Sequence, residues 1–219
     1  MTIMRVAEFT VNPGKGPQVM AAAREMQELA SIDGGNIAFY QLIGGGTPGT
    51  MFATTVLDDL ESFGALSDAV NNNPKWAEWM AHQSELPGFP FSTGVEVSVL
   101  QDLHAEVGEP SDLIENPGIV VVYRQLLAPG KRDAFIAMAK TVRAMLKKED
   151  RPVGMTMQSL FGNTSVITRS LGYESVAAWS AAQNAGWPTA VIDVLKNAQA
   201  DGPMFESVEC LLVRDVTPA

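Results

Sequence analysis

The feature that most constrains this chain is a segment that occurs twice. An apolar stretch runs into a turn and then into apolar residues at helical spacing, first over residues 6–30 and again over residues 122–146. The turns are Asn12-Pro13-Gly14-Lys15 and Ala128-Pro129-Gly130-Lys131, and subtracting Lys15 from Lys131 gives an offset of 116. Pro-Gly pairs between periodic segments are typical of turns. Two copies of one unit predict two copies of one fold.

The remainder of each copy continues in the same order. After the first helix, both copies show a strand hairpin, two short helices and a last strand, within residues 37–100 and 153–214. The order strand, helix, two strands, helices, strand is the ferredoxin-like βαββαβ pattern, a four-stranded antiparallel sheet with its helices on one face. We therefore predict two ferredoxin-like repeats in tandem.

This pattern predicts an α+β fold with defined boundaries. The repeats cover residues 1–101 and 118–219, and an acidic, proline-containing linker covers residues 102–117. The strands are apolar at nearly every position, as in Ile119-Val120-Val121-Val122, so both faces of each sheet need cover. Antiparallel sheets that pack face to face, as an intramolecular α+β barrel, would provide that cover.

Composition excludes several classes of function. The net charge of −10 argues against binding to nucleic acid, where Lys and Arg must displace counterions from phosphates. No apolar run reaches the ~18 residues that a membrane span needs, and the first residues lack the pattern of an export signal, so we expect a cytoplasmic protein. The single cysteine, Cys210, lies in an apolar run and is predicted to be buried and inert.

The strand, the Pro-Gly-Lys turn, the amphipathic helix and the later elements together resemble the dimeric α+β barrel superfamily. This superfamily includes antibiotic-biosynthesis monooxygenases and NIPSNAP-like proteins. Asn73-Pro74-Lys75-Trp76 is similar to the Asp/Asn-Pro-x-Trp motif of NIPSNAP-like proteins, and the second repeat has Ala185-Gly186-Trp187-Pro188 in its place. The resemblance implies that small apolar molecules bind in the cavity between the sheets. Several members carry out oxygenation, cyclisation or isomerisation without metal or flavin, whereas others bind haem or have no known activity.

From this resemblance we expect a small cofactor-independent enzyme, a monooxygenase or a cyclase or isomerase, that acts on an apolar or polyketide-like metabolite in the barrel cavity. The alternative is a non-catalytic protein of NIPSNAP-like type that binds small molecules or assists assembly. The tandem chain could also pair again as a homodimer. No metal is expected, because His82 and His104 are the only histidines and lie 22 residues apart, without the paired spacing of a zinc site.

His82 is the first candidate for a catalytic residue. It follows Trp79 by three residues and Glu78 by four, which places all three on one face of a predicted helix. Histidine titrates near neutral pH and could therefore relay a proton. The alternative is a histidine exposed at the helix end, near Glu85.

Glu8 and Arg124 are equivalent in the two repeats, because adding 116 to 8 gives 124. Each interrupts an otherwise apolar first strand, and the resemblance places that strand centrally in its sheet. If both point into the barrel, they could form a charged pair at the cavity. A structural ion pair, or two positions that reach solvent, is the alternative.

Six further residues could contact a substrate, through an aromatic wall or a hydrogen bond to a ligand oxygen. They are Tyr40, Gln41, Trp76, Trp79, Tyr123 and Gln125. Ordinary packing of strands and helices is the alternative for each of them. All these assignments depend on which alternate residues of a strand face the cavity. The differences between the copies, Glu8 against Arg124 and Ala7 against Tyr123, are the substitutions by which a symmetric barrel could acquire one asymmetric pocket.

Overall fold

The computed structural model describes residues 1–108 and 117–218. Half of the predicted linker, residues 109–116, therefore lies outside the described residues. The chain divides into two compact units, Met1–Leu100 with the chain end from Asp215, and Gln101–Arg214. No helix in the described part of the chain is both long enough and apolar enough to cross a membrane.

The first unit has the order βαββαβ, with two short helices before the last strand. Its elements are β1 (Ile3–Val11), α1 (Gly16–Ile32), β2 (Ile37–Gly44), β3 (Thr50–Leu57), α2 (Leu60–Asn72), α3 (Pro74–Glu85) and β4 (Ser92–Asp102). The turn before α1 places Gly14 at a φ of 75°, a conformation that glycine adopts without steric cost. Asp59 caps the start of α2, because its side chain accepts a hydrogen bond from the Ser62 backbone N–H at 2.8 Å.

The core of the first unit lies between its sheet and α1. Ala7 of β1, Phe39 of β2 and Ala53 of β3 pack in one cluster with Ala23 and Ala30 of α1. Because side chains alternate along a strand, the odd-numbered residues of β1 and β2 form the helix-facing side of this sheet, and the even-numbered residues form its opposite side.

The second unit repeats this order after a short helix. Its elements are α4 (His104–Val107), β5 (Ile119–Leu127), α5 (Arg132–Lys148), β6 (Met155–Ser159), β7 (Val166–Tyr173), α6 (Val176–Asn184), α7 (Thr189–Asn197) and β8 (Phe205–Asp215). Leu127 and Ile167 pack against Phe135, Val142 and other residues of α5. Odd-numbered residues of β5 and β7 therefore form the helix-facing side here.

The eight strands follow the order β1-β3-β2-β8-β5-β7-β6-β4 in a closed antiparallel barrel. The predicted fold class, an α+β barrel, is confirmed.

Candidate functional site

The alternation of strand residues separates the predicted site residues of the second unit. Tyr123 and Gln125 lie on the helix-facing side of β5, whereas Arg124 between them lies on the opposite side. A ligand bound on one side of this sheet therefore cannot contact all three. The helix-facing side contains buried polar atoms that lack a hydrogen-bond partner among the described residues.

The centre of the helix-facing side is Arg169, which the sequence patterns did not single out. In the strand register, Arg169 of β7 lies opposite Tyr123 of β5 and opposite Thr156 of β6. Its guanidinium carbon lies 5.6 Å from the centre of the Tyr123 ring, within the range of a cation–π contact. Within the described chain, the Arg169 side chain makes no hydrogen bond or ion pair, and its Nε is buried. The Nε–H is thus a buried donor without an acceptor, although the side chain as a whole is only half-buried.

Gln125 supplies an unmatched acceptor beside this unmatched donor. It is 3% exposed, and its Oε1 has no hydrogen-bond donor among the described residues. Gln125 lies opposite Ile167, one side-chain repeat along the same face of β7 from Arg169. We call Tyr123, Gln125, Thr156 and Arg169 the Arg169 group. Unmatched buried polar atoms are rare in folded proteins, and here they lie on neighbouring strands.

Electrostatics keep this group in defined protonation states. Burial lowers the pKa of Arg169, and the nearby Tyr123 opposes that shift. Arginine nevertheless stays charged, because its ordinary pKa lies far above neutrality. Burial raises the pKa of Tyr123, the neighbouring Cys210 thiol raises it further, and Arg169 lowers it. With a raised pKa, Tyr123 is a neutral phenol at pH 7 that can donate or accept a hydrogen bond.

Cys210 lies opposite Tyr123 in the register of β5 and β8. It is exposed, so the prediction of a buried cysteine is wrong. The physical reason is that the segment from Glu206 to Cys210 is exposed throughout, although the sequence around the cysteine is apolar.

The equivalent positions of the first unit are closed by apolar side chains. Ala7 lies opposite Ala53, and Ala53 lies opposite Phe39, where the second unit has Tyr123, Arg169 and Thr156. All three belong to the packed core on α1. Among the described residues, the buried polar group is therefore a property of the second unit alone.

On the opposite side of the first sheet, Glu8 and Tyr40 both lie beside Phe52. Glu8 of β1 and Tyr40 of β2 are each opposite Phe52 of β3 in the register. Burial raises the pKa of Tyr40, and the negative charge of Asp215 adds to that shift. Glu8 and Tyr40 are thus on the same side of the sheet, on either side of Phe52. Gln41 is on the helix-facing side and is exposed.

Arg124 lies beside Glu209 of the neighbouring strand β8. The Nη1 atom of Arg124 is 3.7 Å from Oε2 of Glu209, and both side chains are partly exposed. This ion pair joins β5 to β8.

The residues predicted on α3 contribute to helix packing. The Trp76 Nε1–H donates to Asp33 at 2.9 Å, and the Trp79 Nε1–H donates to Glu25 at 2.9 Å. The two indole rings meet edge to face, with centres 6.0 Å apart. Asp33 and Glu25 belong to α1 and its C-terminal cap, so the two tryptophans join α3 to α1. His82 is exposed on the same helix.

A cavity of about 310 Å³ also lies on the helix-facing side of the second unit. The residues that border it include Leu146, Arg151, Leu171, Tyr173, Gln183 and Trp187. Leu171 follows Arg169 by two residues on the same side of β7. Burial raises the pKa of Tyr173, so this phenol is also neutral at pH 7. In the described part of the chain, no group of three or more His, Cys, Asp or Glu side chains could hold a metal ion.

Sequence patterns missed Arg169 because Thr168 and Ser170 flank it, so it does not interrupt an apolar run. The register gives the signal that was lacking. Once Ala7 is aligned with Tyr123, their partners Ala53 and Arg169 are aligned too, and the change from alanine to arginine becomes visible.

Comparison with solved structures identifies the fold over almost the whole chain. A candidate monooxygenase from Fusobacterium nucleatum is 10% identical, with a TM-score of 0.64, over 98% of this chain and 92% of its own. An anthrone oxidase-like protein is 13% identical, with a TM-score of 0.62, over 98% of this chain and 91% of its own.

A NIPSNAP family protein from Agrobacterium tumefaciens is 14% identical, with a TM-score of 0.38, and matches 47% of this chain and 93% of its own. No protein-family model and no curated protein matches the sequence. The chain has the fold of the dimeric α+β barrel proteins, as the element order predicted.

Proposed function

We propose that this chain is a cofactor-independent enzyme of monooxygenase or cyclase type, and that it acts on an apolar, polyketide-like metabolite at the Arg169 group. The observation that carries the proposal is the buried Nε–H of Arg169, which has no acceptor in the described chain. A fixed cation stabilises negative charge that develops on a substrate. The fold shared with a candidate monooxygenase and an anthrone oxidase-like protein supports this class of reaction.

The geometry suits a substrate whose carbonyl becomes an enolate. Arg169 would donate to the enolate oxygen, and the Tyr123 phenol would donate a second hydrogen bond. The Gln125 Oε1 would accept a hydrogen bond from a substrate hydroxyl. Such contacts lower the pKa of the C–H group next to the carbonyl, because they favour the charged form. Bulk water takes the proton, since Tyr123 is a weak base in this setting.

For an anthrone, the oxygenation balances without a cofactor. The central CH₂ group loses one proton to give the enolate, and the enolate transfers electrons to O₂ to form a carbon–oxygen bond. Loss of water from the resulting hydroperoxide leaves a C=O group. The net reaction converts CH₂ and O₂ into C=O and H₂O, so the substrate is oxidised and dioxygen is reduced.

Glu8, Arg124 and Tyr40 remain predictions for a ligand on the opposite side of their sheets. His82, Gln41, Trp76 and Trp79 likewise remain predictions. Their positions favour other roles, since His82 and Gln41 are exposed and the tryptophans join two helices. A non-catalytic carrier is the second candidate function. It is favoured by the contacts of Arg169, which include no carboxylate or histidine of residues 1–108 and 117–218 that could act as a general base.

The proposal is tested by incubating the full chain with anthrone in air and following the product by mass spectrometry. We expect conversion of CH₂ to C=O by the wild type and by Arg24→Gln, a matched change of an exposed arginine on α1. Arg169→Gln is expected to lower the rate by about 10²-fold, the usual effect of losing one charge-stabilising donor. Equal rates for Arg169→Gln and wild type would refute the proposal, and Arg169-dependent binding without turnover would favour the carrier.

A further inference from the structure

The turns after α1 and α5 have the same backbone but different side chains. Asp33-Gly34-Gly35 is equivalent to Glu149-Asp150-Arg151 at the offset of 116. The Gly35 N–H donates to the Ala30 carbonyl at 2.8 Å, and the Arg151 N–H donates to the Leu146 carbonyl at 2.9 Å. Gly34 and Asp150 both have a positive φ, 77° and 52°. Arg151 therefore occupies the place of Gly35.

In the first unit, the space beside Gly35 is occupied by the side chain of Leu66. A Cβ atom on Gly35 would lie 3.3 Å from Cδ1 of Leu66, a tight contact that requires the leucine side chain to shift by a few tenths of an ångström. Trp76 also packs against the core cluster that contains Ala30. The equivalent region of the second unit is the 310 Å³ cavity, bordered by Leu146 and Arg151.

The cavity has one aromatic wall that is accessible to a ligand. Trp187, the counterpart of Trp76 in the second repeat, borders the cavity and is 48% exposed. Tyr173, on β7, and apolar side chains such as Leu146 and Leu171 complete the wall. A volume near the lower end of the range for ligand pockets suits a small planar molecule. Aromatic rings bind well to such surfaces through offset or edge-to-face contacts.

Arg151 borders this cavity, and one N–H group of its guanidinium remains available to a ligand. Its Nη1 donates to the carbonyl of Gly186, next to Trp187, at 2.7 Å. Its Nε lies 3.7 Å from Oε2 of Glu149, which is too long for a hydrogen bond. Within the described chain, Nη2 has no hydrogen-bond partner. A guanidinium fixed through one nitrogen can bind a carboxylate through another.

We infer that this cavity is a binding site for a small aromatic carboxylate. The ring lies between Trp187 and Tyr173, and the carboxylate accepts a hydrogen bond from Arg151 Nη2. The site is distinct from the Arg169 group and does not rest on the proposed function, because it requires binding alone.

The test is calorimetric titration of the full chain with 2-naphthoate and with its neutral analogue 2-naphthamide. We expect tighter binding of naphthoate than of naphthamide. Arg151→Gln should weaken naphthoate binding about tenfold and leave naphthamide binding unchanged, because one charged hydrogen bond is lost. Trp187→Leu should weaken both ligands, since both lose the indole contact. Arg151→Lys, which keeps the charge, should retain part of the preference for naphthoate.

Two further variants locate the site. Arg24→Gln, on the exposed face of α1, and Arg169→Gln are both expected to bind naphthoate like the wild type. The inference is overturned if naphthoate does not bind, if it binds no better than naphthamide, or if Arg151→Gln binds it like the wild type. It is also overturned if Arg169→Gln abolishes binding, because the carboxylate would then lie at the Arg169 group. Circular dichroism of each variant identifies any that fail to fold, in which case Arg151→Lys decides.

Discussion

The role proposed for Arg169 would serve function at the expense of stability. A half-buried charge without an ion-pair partner opposes folding, because the buried part of the group loses its hydration. The Tyr123 ring at 5.6 Å offsets only part of that loss. Such a residue is therefore expected to contribute to binding a ligand more than to the stability of the free protein.

Arg169→Met tests this trade-off. Methionine has a similar length and is apolar, so we expect the free energy of unfolding to stay equal or to rise by about 1–4 kcal/mol, as when buried ionic groups are replaced by apolar ones. Anthrone conversion should fall at the same time. Urea denaturation followed by circular dichroism measures the stability. A marked loss of stability in Arg169→Met would show that the arginine has a structural role.

At the scale of elements, the helices and strands follow closely from the sequence. The Pro-Gly turns, the Asp59 cap and the helix that starts at Pro74 all lie where local patterns place them, because these signals act over a few residues. The roles of Trp76 and Trp79 could not be predicted in this way. Their hydrogen-bond partners, Asp33 and Glu25, lie more than 40 residues away in the chain, and only tertiary packing brings them together.

The contact between α3 and α1 gives a prediction about stability. Asp33 accepts hydrogen bonds from the Trp76 indole and from the Asn73 side chain. Asp33→Ala leaves both partly buried donors without this acceptor, so we expect the free energy of unfolding to fall by about 1–3 kcal/mol. Asp68→Ala, at an exposed site on α2, is the matched control and should change it little. Urea denaturation that gives equal values for the two variants would contradict this role of Asp33.

For the whole molecule, the duplication predicts the fold but only part of the candidate site. The sequence offers Tyr123 and Gln125 as candidates because their polar groups could form a hydrogen bond to a ligand oxygen, and Tyr123 stands where the first copy has Ala7. The strand face could not be predicted, since strands that are apolar on both sides carry no alternation. For that reason the sequence offers both Tyr123 and Arg124 as candidates, although adjacent residues of one strand point to opposite sides. Arg169 needed the pairing of β5 with β7.

The difference between the two copies predicts the number of ligands. Because Ala7, Ala53 and Phe39 fill the first copy of the site, we expect one anthrone per chain. Calorimetric titration under argon, which prevents oxygenation, measures the stoichiometry. Two equivalent molecules per chain would contradict the assignment of the site to the second unit, and so would unchanged binding in Arg169→Gln.

Cys210 offers a way to observe this site in solution. It is the single cysteine of the chain, it is exposed, and it lies across the strand pair from Tyr123. A nitroxide or fluorine label attached to its Sγ would therefore report from one known position, without removal of other thiols. Changes in the spectrum of such a label would follow events at the Arg169 group in the otherwise native protein.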